Sequence, residues 1–105
     1  MRIISQDGTT DVPYEHVAVI RLNKKIYFFN SNLIADSQAL AEYSTEAKAI
    51  KAMEMLREQH EKVAFLKTII NTEKGTQFVR GLSKTDFDKL TQNYFRFPQD
   101  DEIEV

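Results

Sequence analysis

Hydrophobic positions along this chain change their spacing twice, and the changes divide it into strands, a long helix and a closing strand. Arg2 to Ser5 is a short apolar run ending at the turn dipeptide Asp7-Gly8, which predicts a first strand. Asp11-Val12-Pro13 predicts a break, because proline lacks a ladder donor and pushes its predecessor toward extended geometry. His16 to Leu22 is rich in β-branched residues and apolar on both parities up to Arg21, the pattern of a strand covered on both faces. Asn23-Lys24 supplies a tight turn. Lys25 to Asn30 returns as a strand, with Ile26 and Phe28 on one face and Tyr27 and Phe29 on the other. Ser31 to Gln38 is polar-rich and predicts a loop with Leu33-Ile34 turned inward. Ala39 to Tyr43 predicts a fourth strand leading into the helix.

At Ser44 the period lengthens. Ala49, Ile50, Met53 and Leu56 recur at helical spacing and predict one apolar stripe, with Lys48, Lys51, Glu54 and Glu58 on the other side. Ser44 is placed to cap this helix with its hydroxyl, and Glu46 favours the positive end of the helix dipole. Glu58 and Lys62 stand in the favourable i,i+4 order. Val63 to Ile70 fits either a helix or a strand. No Gly or Pro falls between Ser44 and Asn71, which favours helix, with Val63, Leu66 and Ile70 prolonging the stripe through His60. Asn71 to Gly75 then ends it, and Thr76 to Leu82 predicts a short extended segment or loop. Ser83 predicts the start of a second, short helix with Asp86 three residues on and Phe87 and Leu90 inward. Asn93 to Phe97 alternates and predicts a last strand, placed beside the first so that its backbone groups are paired. Pro98 ends it.

Strands first, then helices, then a closing strand is an α+β pattern. The expected architecture is a mainly antiparallel sheet of four to five strands with one long and one short helix on one face. The expected division is a single domain over 1–98 and an acidic, frayed tail over 99–105. At 105 residues, 42% apolar and 29% charged, the chain suits one compact core, hiding roughly 65% of its unfolded surface.

Charge and chemistry narrow the picture mainly by exclusion. A net charge of −2 argues against a duplex DNA binder, which presents a clustered excess of Lys and Arg. With no cysteine, disulfides, zinc ribbons and thiolate catalysis are ruled out. No apolar run is long enough to span a bilayer, and Asp7 interrupts any signal-peptide pattern. A bacterial cytoplasmic protein without membrane attachment is therefore expected.

The two histidines, His16 and His60, lie far apart and form no HExxH or HxH spacing. GxSxG, SxxK and P-loop strings are missing, and Gly8, Gly75 and Gly81 are each isolated. Glu42, Glu46 and Glu54 supply carboxylates near the helix, where a solvated role fits better than acid–base work. No catalytic residue, metal site or cofactor is expected, and the chain is read as a non-enzyme. Tyr27, Phe28, Phe29, Tyr94, Phe95 and Phe97, with Arg21, Lys24, Lys25 and Arg96 nearby, could form a stacking platform for single-stranded nucleic acid. Core packing is the competing and favoured role for these rings. Asp100, Asp101, Glu102 and Glu104 could mimic phosphates or simply end the chain in solvent. The candidate partner-binding residues are thus Arg21, Lys24, Lys25, Arg80, Arg96, Asp100, Asp101 and Glu102.

Three strings carry a resemblance: MRIISQDGTTDVPYE at Met1 to Glu15, AEYSTEAKAIKAMEMLRE at Ala41 to Glu58, and FRFPQDDEIEV at Phe95 to Val105. Together they resemble a family of small uncharacterised proteins of phages and prophages of Firmicutes. Glu61 to Asn93 departs from the shared pattern and is expected to hold what is particular to this member. The resemblance implies a phage-encoded accessory protein acting in the host cytoplasm by binding a host or phage protein. Inhibitors of host defence such as anti-CRISPR proteins are of this kind. The alternatives are a single-stranded nucleic-acid-binding accessory protein and a self-associating scaffold built on an exposed sheet edge.

Overall fold

The computed structural model describes residues 1–29, 38–70, 72, 77, 80, 81, 83 and 92–105. In chain order its elements are β1 (Arg2–Ile4), β2 (Asp11–Pro13), β3 (Ala18–Leu22), β4 (Lys25–Phe29), β5 (Gln38–Glu42), α1 (Glu46–Ile70) and β6 (Tyr94–Arg96). The mixed α+β composition is as expected, but the described strands form two three-stranded sheets instead of one sheet of four to five.

In the first sheet β1 is central. It pairs antiparallel with β2, Ile3 opposite Val12, and parallel with β6, Ile3 opposite Phe95. The last strand therefore does lie beside the first. Asp11-Val12-Pro13 does not break the structure, because β2 is an edge and the missing proline N–H costs no ladder bond there. With both sides of β1 taken, β3, β4 and β5 form a separate antiparallel meander, with a register shift between Ile26 and Tyr27. Gln6 joins the sheets. Its N–H donates to the Leu40 carbonyl at 2.8 Å, and its side-chain oxygen accepts the Glu42 N–H at 3.0 Å.

The long helix runs through Val63 to Ile70, and its cap is one residue later than expected. The Thr45 hydroxyl accepts the Lys48 N–H at 3.2 Å, while Ser44 is engaged elsewhere. The buried stripe is Ala49, Ala52, Leu56, Val63 and Leu66. Ile50, expected inside, is 41% exposed. Alanines at 49 and 52 let the helix backbone approach the sheets closely, which turns Ile50 to the flank. On the outer side Lys51 pairs with Glu54 at 3.9 Å.

The C-terminus is docked, not frayed. Asp100–Glu102 forms a 3-10 turn, with Glu102 accepting the Gln99 N–H at 2.9 Å. Ile103 is buried with Ile3, Ile26, Leu40, Tyr43, Leu56 and Phe97 in one core. An apolar anchor at 103 and a carboxylate at the helix entrance together outweigh the fraying expected of a short acidic end.

Gln77 and Arg80 are helical, and the Gly81 N–H donates to the Gln77 carbonyl at 3.2 Å, within the stretch expected as a short extended segment or loop. The expected Leu33-Ile34 loop, the helix end at Asn71 to Gly75 beyond Thr72, and the short helix with Phe87 and Leu90 lie outside the described residues.

Candidate functional site

Alternation in β6 sorts its side chains. Phe95 enters the core, and Tyr94 and Arg96 face out. Phe97 is fully buried and meets Phe95 edge-to-face, centroids 5.1 Å apart at 86°. Tyr94 is left 47% exposed. It borders a depression of about 430 Å³ whose other walls include Met55, Glu58 and Lys62 of α1 together with Gln92 and Arg96. Two amide side chains hold this junction: Gln59 donates to the Gln92 carbonyl at 2.8 Å, and Gln92 donates to the Tyr94 carbonyl at 3.2 Å. Among the described residues neither Lys62 nor Arg96 is in an ion pair. The Arg96 guanidinium lies over the Asp7-Gly8 turn, where a Cβ on Gly8 would come within 3.4 Å of it.

The remaining candidates are dispersed. Arg21 donates to the Asn23 carbonyl at 3.1 Å and pairs with Glu46 at 2.9 Å. Lys24 and Lys25 are exposed at the β3–β4 turn, beside a second depression walled by Leu22, Tyr27 and Glu42. Arg80 is exposed on its helical turn. Asp100 is used internally: it accepts the Ser44 N–H and hydroxyl and pairs with Lys48 at 3.2 Å. Asp101 and Glu102 are exposed, but Glu102 is also turned back on Gln99. The structure thus brings Arg21, Lys24 and Lys25 to one hairpin and sets Arg96 on the other sheet.

Local hydrogen bonds set the charges of these groups. The Ser44 N–H, followed by Lys48, holds the Asp100 carboxyl below its ordinary range. The Ser5 hydroxyl and then the Thr9 N–H and hydroxyl pull Asp7 down to about 2. The N-terminal ammonium, 2.7 Å away, lowers Glu15. Burial, with Asp100 and Glu102 nearby, pushes the Tyr43 phenol well above its usual range. Its hydroxyl donates to the Pro98 carbonyl at 2.8 Å. Each of these shifts belongs to scaffold-building contacts, and none gathers around a cleft.

His60 stacks on Tyr14 with centroids 4.1 Å apart, and His16 closes an exposed 3-10 turn. Among the described residues no group of three metal-binding side chains is assembled. The aromatic platform is also not assembled: Tyr27, Phe28 and Phe29 belong to the second sheet, while Phe95 and Phe97 are buried against the first. No described helix is long and apolar enough to cross a membrane. No family model matches the chain, nor does any curated protein or solved structure.

Met55 and Lys62 were not legible as site residues. Their spacing with Gln59 puts them on one face of α1, but nothing in the sequence says that β6 runs alongside that face. Tyr94 and Arg96 were legible from strand alternation alone.

Proposed function

We propose that the chain is a phage- or prophage-encoded accessory protein that acts by binding a host or phage protein, through the Tyr94–Arg96 face of β6 and the Met55–Lys62 side of α1. The carrying observation is Tyr94, half exposed at the edge of a formed depression with methionine on one wall and, near it, two cations, Lys62 and Arg96, that are in no ion pair among the described residues. Tyr, Arg and Met are the side chains enriched where proteins meet, since each offers much contact area and a polar or polarizable end. The chemistry fits a protein segment that lays an apolar side chain on Tyr94 and Met55 and offers a carboxylate to Lys62 or Arg96. Inhibition of host defence is one outcome such binding would serve, and the resemblance to phage proteins supports that setting. Mimicry of phosphates by the acidic end is not favoured, because Asp100 and Glu102 are spent on the fold.

A photo-crosslinking residue at position 94, expressed in host cells, tests this. A discrete crosslinked protein is expected, lost when Arg96→Glu is added and not obtained from the exposed position 104. Equal labelling from 94 and 104, or none from 94, would overturn the assignment of this face.

A further inference from the structure

Sheet edges are sites of unwanted pairing, and folded proteins usually block them with proline, charge, a bulge or a cover. Three edges here are blocked. In β2, Pro13 removes a donor and the Arg2 guanidinium covers the Asp11 carbonyl at 3.3 Å. On the outer side of β5, Gln6 bonds Leu40 and Glu42. On β6, the Gln92 amide takes the Tyr94 carbonyl. Strand β3 has no such device among the described residues. Its one charge, Arg21, is drawn off to Asn23 and Glu46.

The phase of this edge follows from its hairpin. The two-residue turn at Asn23-Lys24 makes Leu22 and Lys25 the closing hydrogen-bonded pair. Alternation then gives Ala18, Ile20 and Leu22 to β4 and leaves the N–H and C=O of Val19 and Arg21 aimed outward. These two outward residues are symmetric about Ile20. The side chains of Ala18, Ile20 and Leu22 are exposed on one face, with Ile20 at 36% and Leu22 at 59%.

We infer that β3 pairs with β3 of a second copy, antiparallel about a two-fold axis at Ile20. In this register Val19 of each copy exchanges backbone hydrogen bonds with Arg21 of the other. Ile20 meets Ile20 as a close, non-hydrogen-bonded pair, flanked by Ala18 against Leu22, so the apolar strip matches itself. The two Arg21 side chains do not oppose each other. The product is one continuous sheet with three strands from each copy, leaving both Tyr94 faces free. A single strand pair with a short apolar strip falls below the roughly 800 Å² per partner of a standard stable interface, so the dimer is weak and reversible.

The absence of native cysteine makes the register directly testable. Ile20→Cys is expected to give a covalent dimer under mild oxidation, because Cα atoms in such a pair are about 4.5 Å apart, within disulfide reach. Leu22→Cys, facing Ala18 of the other copy, is expected to crosslink at least tenfold more slowly. Sedimentation of the native chain is expected to show concentration-dependent mass, abolished by Ile20→Lys with unchanged circular dichroism. A native chain monomeric up to about 1 mM, the weakest binding of interest, would overturn the inference. So would faster crosslinking at position 22 than at 20.

Discussion

Asp100 closes the entrance of α1: one carboxylate oxygen accepts the Ser44 N–H at 2.6 Å and the other accepts the Ser44 hydroxyl at 3.0 Å. The same carboxylate pairs with Lys48 one helical turn on. A residue from the chain end thus supplies what a local cap cannot reach, a ligand for a backbone donor ahead of the helix. Asp100→Ala is expected to lower the melting temperature by several degrees and to expose residues after Gln99 to carboxypeptidase. Ser44→Ala, which keeps the backbone donor, is expected to do less of both.

The carboxylates set the acid limit of the fold. Asp7, Glu15 and Asp100 all have folded-state pKa values below their unfolded ones. Such groups contribute stability above the unfolded pKa and lose it as pH falls through the folded value. For Asp7 that window runs from 3.8 down to about 2. Melting temperature is therefore expected to stay flat from neutrality to about pH 5 and then to fall as the pH drops further. Asp7→Asn should make the lower part of the curve shallower.

Leu56 and Ile50 differ in burial more than in size. Leu56 is 1% exposed and Ile50 41%. Leu56→Ala should cost about 3 kcal/mol, a transfer loss plus a cavity. Ile50→Ala should cost less than about 1 kcal/mol. Urea unfolding of the two variants checks the ranking.

Asn23 holds the β3–β4 turn at φ 56, a region most side chains avoid. Asn23→Gly is expected to raise stability by about 0.5–1 kcal/mol in the same urea assay, since glycine takes this region without steric penalty.

Local chemistry made several elements legible: the Asp7-Gly8 and Asn23-Lys24 turns, the alternation of Lys25 to Phe29, and the uninterrupted helix to Ile70. What was not legible depended on distant partners. That β1 would be flanked on both sides, forcing a second sheet, follows from β6 returning from the far end of the chain. That Ser44 would serve Asp100 and leave capping to Thr45 depends on a contact across 56 positions. In the candidate site, alternation exposed Tyr94 and Arg96, but their meeting with Lys62 required the packing of β6 on α1.

The most direct test is the affinity of the partner captured at position 94 for Tyr94→Ala, measured by calorimetry beside the native chain. Tyr94 is outside the core, so the variant should melt within a few degrees of native. Its binding should weaken by about 2 kcal/mol, roughly thirtyfold. An affinity within about twofold of native, on a folded variant, would contradict the account.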